Sequence, residues 1–387
     1  MRLLAQLKEG HTVEVVRRYV GDFTAATGID VDLSVLPEGE AHDRMLSAAR
    51  RPDVVTVPFW YLDELLERGA LRPLMDVLPQ LGQGWQDFAP TAVAALSRAG
   101  QCWAAPHTLT GGVLSYRADV FAELGLPAPR TTGDVLAAAR AIAESSFDGH
   151  GLVARASVEF SSLETYAGWA WSRGVKLLPD AGNPQPEVVQ AAVGDLVETL
   201  RAGPADLVRR PYAAVGDLVL EGRAAQLFDT SAWGFFFEDA TVSSVAGRMG
   251  YTPVRGPVAA AQFLYAEGLG VTAWSPEPDA AAAFVAWRQS LPVLEKEVRE
   301  VGRLDLPRTD LWAAEWFGTE VARRRLGPYM EVVRRSWEEA ETEHVAARPD
   351  FVVQARALMG AISGTVAGQH EDLRTAVMQR FAGADRG

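Results

Sequence analysis

The beginning of the chain alternates between strand-like and helix-like patterns, and this alternation constrains the fold more than any other feature. Residues 3–7 are a short apolar run typical of a strand, and residues 13–27 have the spacing of an amphipathic helix that ends at Gly28. Asp30–Leu36 is a second strand-like run. A strand, a helix and a strand in this order predict a βαβ unit, which joins parallel strands.

The same alternation continues through the first hundred residues. A helix is predicted over about residues 41–49, followed by the β-branched run "PDVVTVPFW" and by the helix "LDELLERG", which ends at Gly69. The strand-like runs are almost continuously apolar, as expected of parallel strands that are covered on both faces. We therefore predict that the first hundred residues form one open α/β sheet.

A second α/β region begins near residue 109. An apolar run ends at Arg117 and is followed by a short predicted helix over residues 119–124. Pro127 and Pro129 prevent this helix from continuing, and another helix begins at Thr132. Further helices are predicted over residues 162–173 and 186–201. The later run "FLYAEGLGVTAWS" is strand-like, and the last seventy residues are mostly helical.

Size and charge limit the class of protein. At 387 residues the chain is longer than one hydrophobic core normally fills, so two domains are expected. The formal net charge of -13 opposes a nucleic-acid-binding face, which needs clustered Lys and Arg side chains. No nucleic-acid partner is predicted.

Cys102 is the only cysteine, which excludes an intrachain disulfide and any site that needs several cysteines. Within the run "QCWAAP" it is interpreted as a small buried hydrophobe rather than a nucleophile.

No apolar segment reaches the ~20 residues of a membrane span. The start "MRLLAQLKEGH" has too short an apolar run for a secretory signal. Either a signal was removed from this chain and the protein is extracytoplasmic, or the protein stays in the cytoplasm.

Motifs of the common enzyme classes are absent from the sequence. There is no P-loop, no glycine-rich dinucleotide turn after a strand and no GxSxG nucleophile turn. The six histidines are scattered and form no HExxH pair. Neither a cofactor nor a metal site is therefore predicted.

Five segments, in their order and spacing, resemble family 1 extracellular solute-binding proteins. The most specific is "GGVLSYRADVFAELGLPAPRTTGDVLAAARAIAE", which is similar to the family's "YxxDxFxxxGLPxPxTxxDxL" pattern. The other segments are "VVRRYVGDFTAATGIDVDLSVLP", "RPDVVTVPFWYLDELLERGALRPL", "LVLEGRAAQLFDTSAWGFFFEDA" and "GLGVTAWSPEPDAAAAFVAW". Together they cover most of the chain up to about residue 310.

The resemblance implies a two-lobed α/β fold of the type II periplasmic-binding-protein kind, with two open α/β sheets joined by hinge crossings. The crossings would lie near residues 103–108, 262–265 and 304–311. Lobe one would contain residues 1–106 and 264–308, and lobe two residues 107–263 and 309–387. Members of the family capture sugars, oligosaccharides or related polar solutes for ABC importers. Since ligands of open α/β sheets bind beyond the carboxyl ends of strands, loops in those places are expected to border the cleft.

Two groups of candidate ligand contacts follow predicted strands. Lys8, Glu9 and His11 precede or open the first helix, whose free N–H groups suit a polar or anionic group, although a capped helix start is an alternative. The residues after the run "DVVTV" are aromatic and either contact ligand or form an ordinary hydrophobic rim. They are Phe59, Trp60 and Tyr61.

The resemblance also places Trp233, in "TSAWG", where a ring of the family stacks on a sugar, because aromatic rings suit the C–H face of a pyranose. Trp169 is interpreted either as a similar ring or as core packing. The second crossing contributes Tyr265 and Glu267; the Glu departs from the family's small residues and either hydrogen-bonds ligand or forms a salt bridge.

Three further candidates lie near the first and third crossings. His107 and Thr108 either contact ligand or satisfy backbone groups of the hinge. Arg303 either reaches the cleft or pairs with Asp305 or Asp310.

Two functions are compatible with these residues. In a binding protein, ligand contacts bias an open–closed equilibrium and hinge closure captures the solute. Alternatively, a cytoplasmic enzyme uses the same cleft to act on a small metabolite, with Glu267, Glu9 or His107 as acid or base. We favour capture, because it needs no covalent chemistry and the sequence contains no catalytic motif. The expected partners are a small-molecule ligand, either a sugar or a glycosylated compound, and an ABC permease if the protein is exported; a monomer is expected.

Overall fold

The computed structural model describes residues 2–8, 11–47, 51–82, 84–159, 161–340 and 350–381. At residues 11, 12, 38, 39, 212 and 213 it describes the backbone alone.

The chain forms two compact units. Unit one consists of Met1–Leu109 and Tyr265–Val321, and unit two of Thr110–Leu264 and Ala322–Gly387. The chain thus passes between the units three times, and each unit is discontinuous in sequence. The family resemblance predicts that the chain changes lobe after residues 106, 263 and 308. These limits stay a prediction.

The described residues contain nine strands. In chain order they are β1 (Arg2–Lys8), β2 (Asp30–Leu36), β3 (Val54–Pro58), β4 (Ser97–Arg98), β5 (Gln101–Cys102), β6 (Ala105–Arg117), β7 (Gln226–Thr230), β8 (Met249–Thr252) and β9 (Leu264–Val271).

The same residues contain eighteen α-helices. They are α1 (His11–Thr27), α2 (Glu38–Ser47), α3 (Leu62–Glu67), α4 (Val77–Gln80), α5 (Pro90–Ala95), α6 (Ala118–Glu123), α7 (Thr132–Ala143), α8 (Ser162–Trp171), α9 (Pro186–Arg201), α10 (Tyr212–Leu220), α11 (Gly234–Phe237), α12 (Pro278–Arg288), α13 (Leu291–Lys296), α14 (Thr309–Ala313), α15 (Glu315–Arg323), α16 (Gly327–Glu339), α17 (Phe351–Val366) and α18 (Leu373–Phe381). Short 3₁₀ turns cover Phe59–Tyr61, Trp85–Asp87 and Leu207–Arg209, and a π-helical turn covers Glu297–Val301.

The sheet of unit one has the order β2, β1, β3, β9, followed by the first part of β6. β1 pairs in parallel with β2 and β3, as the βαβ pattern predicts. β9 is antiparallel to β3, with Glu267 opposite Pro58. β1, β2 and β3 of the first hundred residues thus share one sheet, as predicted, and β9 and β6 extend it. Periodicity identifies a strand but not a partner from a distant part of the chain.

The core of unit one lies between this sheet and the helices α1 and α12. Alternate residues of β1, such as Leu3 and Ala5, are fully buried against apolar residues of α1 and α12. Phe23 of α1 meets Phe284 of α12 edge to face, with ring centroids 5.4 Å apart. α1 ends at Gly28, where φ is +71°, a left-handed backbone conformation that Gly adopts without strain. Cys102 is buried, as predicted.

In unit two, β6 lies between β7 and β8, and both neighbours are antiparallel to it. The helix predicted to begin at Thr132 does so because a capping box precedes it. The backbone N–H of Asp134 donates to Thr131 Oγ1 over 3.1 Å, and the backbone N–H of Thr131 donates to Asp134 Oδ2 over 2.9 Å. α8 is buried along almost its whole length and packs against α9 and α17.

Gly216 in α10 allows a close contact that any larger residue would prevent. A Cβ atom at this position would lie 2.2 Å from the indole ring of Trp233. Gly318 in α15 differs, because a Cβ atom there would meet nothing within 4 Å.

We predict opposite effects of Ala at these two glycines. Gly318→Ala should raise the free energy of unfolding by about 0.5–1 kcal/mol, since Ala loses less backbone entropy in a helix. Gly216→Ala should lower it by about 1–3 kcal/mol, because the methyl group overpacks against Trp233. Urea unfolding at pH 7 measures both, and equal effects of the two substitutions would contradict the packing around Gly216.

Candidate functional site

Three strands of unit one place polar or aromatic residues at one edge of its sheet. β1 ends at Lys8, β3 ends at Pro58, and the antiparallel strand β9 places Glu267 opposite Pro58. β1 and β3 are parallel, so their carboxyl ends meet at this edge, where open α/β sheets bind ligands. We call this edge the unit-one site. It consists of Lys8, Phe59, Trp60, Tyr61, Tyr265 and Glu267.

A cluster of hydrogen bonds joins the polar residues of the unit-one site. Lys8 Nζ lies 2.6 Å from Glu267 Oε2 and donates to the Tyr265 hydroxyl over 2.5 Å. The Tyr265 hydroxyl in turn donates to Glu267. On the other side, His107 Nε2 lies 2.9 Å from Glu267 Oε1. The Glu267 carboxylate is thus held by partners from β1, β6 and β9.

Electrostatics keep Glu267 ionised. Burial alone would raise the pKa of its carboxyl group, but the Lys8 ammonium and the hydrogen bond from His107 outweigh burial and lower this pKa well below its ordinary value. An ionised carboxylate accepts hydrogen bonds and has no proton to donate. This is the state of a hydrogen-bond acceptor or of a general base, and not of a general acid.

His107 lies inside unit one, with only 3% of its surface exposed. Burial lowers its pKa, although the adjacent Glu267 carboxylate acts in the opposite direction. Its Nδ1 atom is buried and has no hydrogen-bond partner among the described residues. A neutral ring with the proton on Nε2 agrees with all three observations, since Nε2 faces an ionised carboxylate.

The aromatic residues after β3 pack against Tyr265. Phe59, Trp60 and Tyr61 form a 3₁₀ turn in which all three side chains are buried. The ring centroid of Tyr265 lies 4.8 Å from that of Trp60 and 6.2 Å from that of Phe59. Lys8 Nζ lies 4.7 Å from the Tyr265 centroid, a distance suited to a cation–π contact. Tyr265 therefore belongs to both the charged and the aromatic part of the site.

Tyr61 also has a neighbour that the sequence did not suggest. The His42 ring stacks on it, with centroids 3.9 Å apart, and His42 Nε2 lies 3.0 Å from Glu64. Burial lowers the pKa of His42, whereas Glu64 opposes this change. A small cavity beside this stack is lined in part by Lys8 and Thr56.

The other candidate ligand contacts of unit one lie outside the unit-one site or outside the described residues. Glu9 lies outside the described residues, and so does the side chain of His11. Thr108 is buried. Of the ion pairs considered for Arg303, the one with Asp305 forms, at 2.8 Å, and the arginine is 4% exposed.

The two tryptophan candidates of unit two are buried. Trp233 stacks on Phe237, with centroids 5.9 Å apart and ring planes 9° apart. Trp169 is fully buried and its indole N–H donates to Asp195 over 3.1 Å. These contacts favour the core-packing interpretation of Trp169.

Unit two also contains a buried ionic cluster that sequence reasoning missed. Arg155 Nη2 lies 2.9 Å from Glu164 and 2.8 Å from Asp229. Burial raises the pKa of Asp229, and Arg155 opposes this rise. The available signal was a charged residue inside each of three apolar runs, "LVARASV", "SLETYAGWAW" and "QLFDTSAW".

Within the described residues, no group of three or more His, Cys, Asp or Glu side chains is arranged to hold a metal ion. None of the helices in the described part of the chain is long and apolar enough to cross a bilayer.

We predict that Glu267→Gln lowers the free energy of unfolding by about 3–5 kcal/mol at pH 7, because it removes one partner of a buried ion pair. The folded pKa of Glu267 lies below the ordinary value of 4.5, so its stabilising effect is complete above pH 4.5 and is lost as the pH falls towards the folded pKa. The difference in the free energy of unfolding between wild type and variant should therefore be constant from pH 7 to 5 and become smaller below pH 4.5. Urea unfolding over this range is the measurement, and a difference that stays the same at pH 3 would contradict the ionised, paired state.

The sequence matches the family described as bacterial extracellular solute-binding protein over residues 10–290. No curated protein sequence matches the chain.

Solved structures with this fold resemble the whole chain. An ABC transporter solute-binding protein from Agrobacterium vitis S4 with bound D-mannitol has a TM-score of 0.87 at 21% identity, covering 100% of this chain and 97% of its own. A solute-binding protein from Agrobacterium radiobacter K84 in complex with ribitol has a TM-score of 0.86 at 19% identity, with 100% and 98% covered. Maltose-bound MalE3 of T. maritima has a TM-score of 0.82 at 16% identity, with 100% and 99% covered.

These structures share the two-lobed α/β fold of periplasmic binding proteins, which the sequence predicted for this chain. The family match covers well over half of the length of this chain. The protein therefore belongs to the bacterial extracellular solute-binding protein family.

Proposed function

We propose that the protein binds a small polyhydroxylated solute, either a sugar or a polyol, and that the unit-one site supplies contacts to it. One observation carries this proposal: the aromatic turn Phe59–Tyr61 adjoins an ionised hydrogen-bonding cluster at the strand ends. Aromatic rings pack against the C–H face of such a solute, and charged groups form strong hydrogen bonds with its hydroxyl groups. The two kinds of surface therefore match the two kinds of surface on the ligand.

The three similar solved proteins support this ligand class, since they were solved with D-mannitol, ribitol and maltose. We also propose that the protein acts outside the cytoplasm and delivers its ligand to an ABC permease, which the family description and the ABC transporter context of the similar structures support. A monomer is proposed as well. Trp233 in unit two remains the proposed stacking residue of that unit. Hinge closure on the ligand also remains a proposal.

A panel of neutral sugars and polyols tests the ligand class. Isothermal titration calorimetry with D-mannitol, ribitol and maltose should give saturable binding of at least one, and that solute should raise the melting temperature by linkage. Small-angle scattering with and without the solute tests closure. Chromatography of the recovered solute should show no chemical change, whereas conversion would favour the enzyme alternative. Failure of a broad sugar and polyol panel would contradict the proposed function.

We predict that Trp60→Phe weakens binding of the same solute by up to about 1 kcal/mol, because the smaller ring keeps only part of the stacking surface, and removal of a whole ring costs about 1–3 kcal/mol in base–aromatic stacking. Trp274→Phe is the matched control. Trp274 is another tryptophan of unit one, and its indole N–H donates to the backbone oxygen of Pro52 over 2.9 Å. The control should lower stability without changing affinity. Equal loss of affinity in both variants would show that the Trp60 effect is structural.

A further inference from the structure

The Glu267 carboxylate has an inner and an outer oxygen atom. The inner atom, Oε1, lies 2.9 Å from His107 Nε2. The outer atom, Oε2, lies 2.6 Å from Lys8 Nζ and accepts from the Tyr265 hydroxyl. His107 is thus joined through one carboxylate to two residues of the unit-one site.

The tautomer of His107 follows from its neighbours. Because Glu267 is ionised and can only accept, the ring nitrogen that faces it carries a proton. The other nitrogen, Nδ1, is buried without a partner in the described part of the chain. A proton on Nδ1 would leave a buried N–H without an acceptor and would add a buried charge, and both are costly.

Charged groups on the neighbouring elements also favour the neutral ring. Glu267 on β9 attracts a proton to His107, whereas Arg288 at the end of α12 and Arg303 after the π-helical turn repel it. Each guanidinium group is paired with a carboxylate other than Glu267. These two carboxylates therefore do not stabilise a protonated His107 ring. These carboxylates are Glu297, 2.7 Å from Arg288, and Asp305, 2.8 Å from Arg303. The ring therefore acts on Glu267 as a fixed neutral hydrogen-bond donor.

We propose that His107 is a positioning residue for the unit-one site, because its Nε2–H holds Glu267 in the orientation that places the Lys8 ammonium and the Tyr265 hydroxyl for the ligand. The inference rests on the proposed function of this site. It differs from both sequence-based interpretations of His107, which were direct contact with ligand and satisfaction of backbone groups of the hinge. His107 acts through Glu267, and its effect on affinity disappears when the Glu267 carboxylate is removed.

A double-mutant cycle on binding tests this coupling. Affinity for D-mannitol, ribitol and maltose is measured by calorimetry at pH 7.5 for wild type, His107→Leu, His107→Gln, Glu267→Gln and the double variant His107→Leu/Glu267→Gln. His107→Leu should weaken binding about tenfold. His107→Gln should stay within about threefold of wild type, because its amide N–H can replace Nε2–H. The double variant should bind like Glu267→Gln alone, as expected of two residues that act as one unit.

Two outcomes of the cycle would overturn the proposal. Additive losses in the double variant would mean that His107 acts independently of Glu267, and full affinity in His107→Leu would mean that His107 has no effect on the site. His150→Leu is the matched control, since His150 is a partly buried histidine of unit two. A similar loss in this control would show that the His107 effect is not specific.

A measurement without ligand separates this inference from the proposed function. ¹⁵N-detected NMR of the histidine rings in the free protein, assigned by comparison with His107→Gln, should show at pH 7 a neutral His107 ring with its proton on Nε2. A charged ring or a proton on Nδ1 would overturn the inference even if a sugar binds. If no solute of a broad sugar and polyol panel binds and the NMR result is as expected, the proposed ligand class fails and the hydrogen bond that defines the positioning role stands.

Discussion

The buried carboxylate of Glu267 is the constraint on which the architecture of unit one depends. An ion in the protein interior costs several kcal/mol unless partners compensate it. Here the partners are Lys8 from the end of β1, His107 from β6 and Tyr265 from β9 itself. Because every partner comes from a strand, a shift in the register of β1 or β6 would remove one of these partners. The cluster therefore holds the edge of the sheet in one arrangement.

Tyr265 extends this constraint to the aromatic part of the site. Its hydroxyl group belongs to the charged cluster, and its ring packs 4.8 Å from the ring of Trp60. The polar and apolar surfaces thus share one side chain and cannot move independently. Such rigidity suits a binding site, since groups held in place before the ligand arrives lose less entropy on binding.

Unit two compensates a buried charge of the opposite sign. Arg155 has two carboxylates within 3 Å, those of Glu164 and Asp229, and all three side chains are at most 5% exposed. Arginine suits this role because its planar guanidinium group offers several donors and keeps its charge when buried. The Glu267 cluster of unit one is therefore built around a buried acid, and the Arg155 cluster of unit two around a buried base.

The sequence by itself determined the order of the secondary structure and the fold family. Asp30–Leu36 and Pro186–Arg201 have the limits that their patterns predict, because period, caps and breakers act over a few residues. It also indicated Lys8, Tyr265 and Glu267 individually as candidates. Only the tertiary structure decided which of them meet, since Lys8 and Tyr265 are 257 residues apart in the chain. The same holds for the antiparallel pairing of β9, the packing of Trp169 and the Arg155 cluster. Local patterns report the environment of a residue, whereas contacts between distant residues arise from the packing of whole elements.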